Sequence, residues 1–162
     1  MNSIAGRANC FDASALVKLY VDENGSDIVR TYFKQEPTKY TTPFCFYESL
    51  NVLKTKWLRE EISKEQYIQS AWELSAWYGA VSRRINDLDF ASHATFSDAK
   101  RLVEKTSLDF SDAFQILSVK SGYFSVMIGD SQTVLVTADK KLAQAARDEG
   151  LRAWYFMEEP AP

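Results

Sequence analysis

Ala8-Asn-Cys-Phe-Asp-Ala-Ser-Ala-Leu-Val-Lys-Leu-Tyr20 is the stretch on which the reading of the chain turns. Asn9 to Phe11 form a short apolar run of strand character, and from Ala15 to Val21 the apolar positions recur at helical spacing. Asp12 and Ser14 lie between them, and either supplies an N-cap for the helix. A carboxylate is thereby placed where a strand hands over to a helix. In open α/β sheets, ligands sit beyond the carboxyl ends of the strands. Further carboxylates approaching Asp12 from other strand ends would make a metal cage.

Outward from this stretch, strand and helix signals alternate. Ser26 reads as the cap of a helix carrying Ile28, Val29, Tyr32 and Phe33, closed by Glu36-Pro37. Lys39 to Thr42 is a second short strand. Thr42 caps a helix with Pro43 at its first position, where a missing amide costs nothing. Phe46, Leu50, Leu53 and Trp57 form its apolar stripe, and Glu48 lies off it among mostly apolar neighbours, on a face expected to be partly buried, where a carboxylate needs a partner or an ion. Ser63-Lys-Glu-Gln66 is a capping box for a long helix reaching about Arg84.

Ile85 to Phe90 reads as a short strand or extended linker, and Ser97 as the start of another helix. Leu108-Asp-Phe-Ser-Asp-Ala113 opens a helix that Gly122 stops. Val126 to Ile128 and Thr133 to Thr137 are strand-like around a Gly129-Asp-Ser131 turn, a predicted surface hairpin. Asp139 precedes a helix of Lys140 to Glu149, and Ala153 to Phe156 is a last strand. The alternation predicts one α/β domain with a mainly parallel sheet flanked by helices. Residues 1–7 read as a loose arm, 8–157 as the domain and 158–162 as a tail.

Composition bounds the function. The chain has 162 residues, 46% hydrophobic and 14% aromatic, which predicts one packed core and excludes disorder. A net charge of -3 lacks the overall basic footprint of a nucleic-acid binder, although a local rim can outvote the total. Cys10 and Cys45 lack metal-ligand spacing and read as reduced core thiols of a cytoplasmic protein. No segment has the ~20 apolar residues that a bilayer crossing needs.

Four acids stand apart from the solvated charges: Asp12, Glu48, Asp112 and Asp139. Singly, Asp12 and Asp139 serve as N-caps, and Asp112 favours the positive end of a helix dipole. Together they suggest an oxygen-only site for Mg²⁺ or Mn²⁺, because clustered carboxylates repel unless a divalent cation neutralises them. Such a site can activate water and clamp a phosphodiester for in-line attack.

Asp12-Ala-Ser-Ala-Leu-Val-Lys-Leu-Tyr20 followed by Glu23-Asn-Gly-Ser26 resembles the opening of a PIN-domain protein, especially the VapC-type toxin ribonucleases. Tyr47-Glu48, Leu108-Asp-Phe-Ser-Asp-Ala113 and Leu135-Val-Thr-Ala-Asp139 follow in the family's order, so the resemblance spans roughly residues 8 to 157. It implies a Rossmann-like parallel sheet and a Mg²⁺- or Mn²⁺-dependent endoribonuclease acting on RNA. Carried over by position, Asp12, Glu48, Asp112 and Asp139 would be the acidic quartet, with Ser14 and Thr137 as small hydroxyl residues beside its first and last members. The resemblance also implies a small antitoxin as partner and a homodimer. Two features depart from the simplest pattern: the extra acid Asp109, and a long segment from Tyr123 to Thr133.

Other readings rank lower. A missing acid would favour a non-catalytic module binding RNA or protein through the same groove. A small-molecule phosphohydrolase would need a second Asp two residues after Asp12, where Ser14 stands. His93, the sole histidine, has no nucleophile-elbow sequence beside it, and no glycine-rich phosphate loop follows the first strand. Trp57, Trp72, Trp77 and Trp154 could stack bases but read better as core or subunit contacts, and Lys54, Lys56, Arg59, Arg83 and Arg84 would fit an RNA path or solvated helix faces equally.

Overall fold

The computed structural model describes residues 6–85 and 87–162. Among them, β1 (Ala8–Phe11), β2 (Thr38–Tyr40), β3 (Val134–Thr137) and β4 (Arg152–Tyr155) form a fully parallel sheet in the order β2-β1-β3-β4. Parallel neighbours need long crossovers, which here are helices: α1 (Ala13–Tyr20), α2 (Ser26–Gln35), α3 (Pro43–Leu58), α4 (Lys64–Ala80), α5 (His93–Lys105), α6 (Phe110–Ser121) and α7 (Lys140–Asp148).

Strand alternation divides the core between the two faces of the sheet. Phe11, Val134, Val136 and Trp154 pack with Leu16, Val29, Leu53 and Leu74 from α1 to α4. Ala8, Cys10, Tyr40 and Leu135 turn the other way, onto Leu102, Ile116 and Leu142 of α5, α6 and α7. Both faces are covered over the central strands, so β1 and β3 are buried along their whole length and β3 reads as an apolar run. The edge strands β2 and β4 are only partly buried. The chain leaves β1 toward β2 on one side and later returns to place β3 on the other. The order reverses between β1 and β3, and a crevice opens beyond their carboxyl ends.

Several sequence expectations are corrected. Gly25, with φ of 86°, occupies the N-cap position of α2. Ser26 instead ties the turn, donating to the Val21 carbonyl (2.8 Å) and accepting from the Glu23 amide (2.9 Å). The second strand is Thr38–Tyr40, because Thr41 already turns aside to exchange hydrogen bonds with Ser82. α4 ends at Ala80 and a 3₁₀ turn follows over Ser82–Arg84, which leaves Val81 exposed instead of continuing the apolar stripe.

No strand forms in the described part of 85–90. α5 begins at His93, capped by Ser92 accepting from the Thr95 amide at 3.2 Å, four residues before the expected Ser97. The predicted hairpin arm at Val126 to Ile128 is absent. Tyr123–Val126 and Gly129–Ser131 are 3₁₀ turns, and Val126 and Ile128 are exposed. β3 already has β1 and β4 on its two edges, so no edge remained for that strand. Residues 1–5 of the expected N-terminal arm lie outside the described residues; Arg7 pairs with Glu36 at 3.5 Å. No helix among the described residues is long and apolar enough to cross a membrane.

Candidate active site

The crevice is built from helix starts. One residue beyond the paired Phe11 and Val136, Asp12 caps α1: its Oδ1 accepts from the Ala15 amide (2.9 Å) and the Ser14 hydroxyl (2.7 Å). Its Oδ2 accepts from Thr137 Oγ1 at 2.6 Å, across to the end of β3. Thr137 Oγ1 in turn accepts from the Asp139 amide (2.8 Å), and Ser14 Oγ from the Ala138 amide (2.9 Å). The two hydroxyl residues therefore lock the turn after β1 to the turn after β3. Asp139 caps α7, its Oδ1 accepting from the Lys141 amide (2.8 Å) and the Leu142 amide (3.2 Å).

The other wall comes from α3 and α6. Glu48 lies one turn into α3, and its Oε2 accepts from Ser111 Oγ at 2.9 Å, so the two helices meet beside the crevice. Asp109 caps α6 through the Asp112 amide (2.9 Å), and Asp112 follows in the first turn, its carboxylate bare of hydrogen-bond donors among the described residues. Asp12, Ala13, Ser14, Cys45, Glu48, Asp109, Asp112 and Asp139 line one cavity of about 180 Å³. All four acids expected from the sequence are there, together with Asp109. Lysine and arginine are not.

Electrostatics record the crowding. Burial pushes Asp12 up to about 6, even though its bonds from Thr137, Ser14 and the Ala15 amide favour the charged form. Asp112 is pushed up to about 7, by burial first and then by the negative charges of Asp109, Asp12, Asp139 and Glu48. Glu48 and Asp139 are themselves exposed at the rim, so the expectation of a partly buried Glu48 is corrected. An exposed carboxylate at a cleft needs no buried partner, because water solvates its charge.

Two contributors were not read from the sequence. Ser111 orients Glu48; it sits between Asp109 and Asp112, and a hydroxyl there was the available signal. Cys45 floors the cavity, and its thiol donates to Gln115 Oε1 at 2.9 Å while Gln115 Nε2 donates to Cys10 Sγ at 3.0 Å. Both cysteines are free and buried, as expected. His93 is exposed in the first turn of α5 and is not among the cavity's lining residues.

A family model described as "PIN domain" matches residues 10–148. The chain belongs to the PIN domain family. PIN domains are generally nucleases, and they typically use divalent metals such as Mg²⁺. The fold agrees with a solved structure, the crystal structure of PAE2754 from Pyrobaculum aerophilum. The match has 19% identity and a TM-score of 0.58, covering 91% of this chain and 90% of that one. Among curated proteins, none matches the chain.

The PIN domain's acids fit a hard cation by their chemistry. Every donor but Cys45 is oxygen, and burial first and then the neighbouring carboxylates raise the proton affinity of Asp112, a strain that a cation would relieve. Among the described residues no three acidic, cysteine or histidine side chains meet closely enough to enclose an ion. The carboxylates line the cavity as spaced walls, the arrangement expected of like charges facing one another.

Proposed function

We propose that this PIN domain is a Mg²⁺- or Mn²⁺-dependent endoribonuclease, and that it is the toxin of a VapC-type toxin–antitoxin pair. The observation that carries the reading is the convergence of Asp12, Glu48, Asp109, Asp112 and Asp139 on one cavity at the reversal point of a parallel sheet. Such a cavity would repel a phosphodiester on its own. Asp12, Glu48, Asp112 and Asp139 are the residues to hold the divalent ion, with Asp109 at the rim. When bound, the ion supplies positive charge at the phosphate and a water of lowered pKa.

The chain's own residues do the positioning. Thr137 and Ser14 fix the Asp12 carboxylate by hydrogen bonds, so its orientation is set before substrate arrives. Ser111 holds Glu48 across the cleft. Asp112, whose carboxylate accepts no hydrogen bond among the described residues, keeps its oxygens for the ion. Attack in line on phosphorus, with departure of the 3′ oxygen, would leave a 5′ phosphate.

The acidic cavity suits a basic segment of a small antitoxin, and exposed Leu58, Ile68 and Trp72 offer apolar surface for a homodimer. The deciding experiment mixes the purified protein with total RNA, with and without Mn²⁺, alongside Asp112→Asn. Discrete metal-dependent fragments, lost in the variant, are the expected result. Cleavage that persists in EDTA or in the variant would overturn the assignment.

A further inference from the structure

A ladder of phenylalanine rings runs beside the acidic cavity, and the nuclease chemistry leaves it unused. Phe96 of α5 stacks on Phe110 of α6, with ring centroids 5.7 Å apart and planes within 3°. Phe110 leads to Phe114 at 6.4 Å, and Phe114 stacks on Phe44 of α3 at 4.7 Å and 9°. Phe90 closes the cluster edge-on against Phe44 and Phe114.

Exposure separates two kinds of ring in this ladder. Phe114 is buried and packs α6 against α3, as a core aromatic should. Phe96, Phe110 and Phe44 remain 47%, 40% and 37% exposed. Single exposed apolar residues need no explanation, but contiguous ones mark interaction surfaces.

The position of the ladder says what would lie on it. Phe110 stands between Asp109 and Asp112, and Phe44 directly precedes Cys45, one helical turn before Glu48. Phe44 and Phe110 thus adjoin lining residues, and a chain that carries a phosphate into the cavity comes close to them. The cavity lining offers no lysine or arginine, so a phosphate inside it finds no side-chain ion pair there. Base stacking on aromatic faces supplies affinity of the uncharged kind, and only unpaired bases present their faces.

We propose that Phe96, Phe110 and Phe44 form a base-stacking platform that makes this PIN domain select single-stranded RNA at its acidic cavity. The proposal rests on the nuclease reading for its substrate.

The test uses a short fluorescein-labelled single-stranded RNA containing one mapped cut site, its duplex, and a version with an abasic nucleotide beside the cut. Wild type is compared with Phe96→Leu/Phe110→Leu, which keeps apolar packing, and with Phe96→Tyr/Phe110→Tyr, which keeps a stacking face. The leucine pair should lose about tenfold in kcat/KM on the single strand, while the tyrosine pair stays within about twofold. The abasic nucleotide should cost wild type about tenfold and the leucine pair little, since each removes one side of the same stack.

Equal cleavage by the leucine pair and wild type overturns the platform. So does equal impairment of the leucine and tyrosine pairs, which would mean the rings only pack, and so does cutting of the duplex as fast as the single strand. Fluorescence anisotropy in the Asp112→Asn background separates this proposal from the nuclease reading. If wild type cuts nothing, weaker single-strand binding by the leucine pair still supports the platform, and absence of single-strand binding overturns it.

Discussion

Asp112 makes a quantitative prediction, because its carboxylate opposes folding when no cation is bound. It accepts no hydrogen bond among the described residues, so Asp112→Asn removes a charge without orphaning a donor there, and the bond from its amide to Asp109 survives. The rise from 3.8 to about 7 corresponds at face value to roughly 4 kcal/mol at ~1.4 kcal/mol per tenfold. Asp112 is only half-buried, and solvent screening reduces this to about 1–2 kcal/mol.

The folded state holds the Asp112 proton more tightly than the unfolded chain. Wild-type stability should therefore be highest below the unfolded value and fall as pH rises through about 7. In EDTA at pH 8 the asparagine variant should melt about 2–8 °C above wild type. At pH 3 the advantage should vanish, because folded and unfolded wild type are then both protonated there. Mn²⁺ should reverse the ranking, since an ion held at ~100 times its Kd adds about 2.7 kcal/mol to the protein that binds it. Thermal melts at the two pH values decide the matter. A variant that melts below wild type at pH 8 without metal, or a gain equal at pH 3 and pH 8, would refute the electrostatic account.

Three further substitutions probe the frame around the site. Thr137→Val removes the donor to Asp12 and the acceptor for the Asp139 amide; Asp12 should protonate more readily, moving the acid limb of the pH–rate profile upward. Activity should fall about 10–100-fold, as for other residues that orient metal ligands, and an unshifted profile would count against the role. Gln115→Leu strips the amide that links the Cys10 and Cys45 thiols beneath the cavity, and urea denaturation should report a loss of about 1–2 kcal/mol. Gly122→Ala would drive a methyl group into the Ser118 carbonyl and the Asp87 carboxylate; a loss of about 1–3 kcal/mol is expected from the same measurement.

What could be read from the sequence follows from how local each cause is. Asp12, Thr42-Pro43 and the Ser63 capping box were legible because a cap and its helix lie within a few residues of each other. The parallel sheet was legible because short strand signals alternate with helical ones along the chain. Val126 to Ile128 failed for a non-local reason: an apolar alternating pattern makes a strand only where a neighbouring edge is free, and β1 and β4 had taken both edges of β3. The start of α5 failed because Ser92 and Ser97 carry equal capping potential in isolation, and the fold used the earlier one. The acids were legible as candidates through their positions after strands and in first helical turns. That Asp109 shares their cavity, and that Ser111 reaches Glu48 from 63 residues away, depends on how α3 packs against α6.

Counting free oxygens shows that the five acids are not interchangeable. A carboxylate offers about four lone-pair sites. Asp12 has committed three, to the Ala15 amide and the Ser14 and Thr137 hydroxyls, so it belongs to the frame as much as to the site. Asp139 has spent Oδ1 on two amides and keeps Oδ2, and Glu48 keeps Oε1. Asp112 has spent nothing. Removal of the Asp12 carboxylate therefore unlocks the joint between β1 and β3 and leaves the first amides of α1 uncapped, a loss of about 1–2 kcal/mol. An inactive Asp12→Ala protein would report damage to the frame and to the chemistry together. Asp112→Asn, expected to raise stability while abolishing cleavage, separates the two. A rise in stability without metal, together with loss of cleavage, would mark Asp112 as a group whose charge serves the chemistry and not the frame.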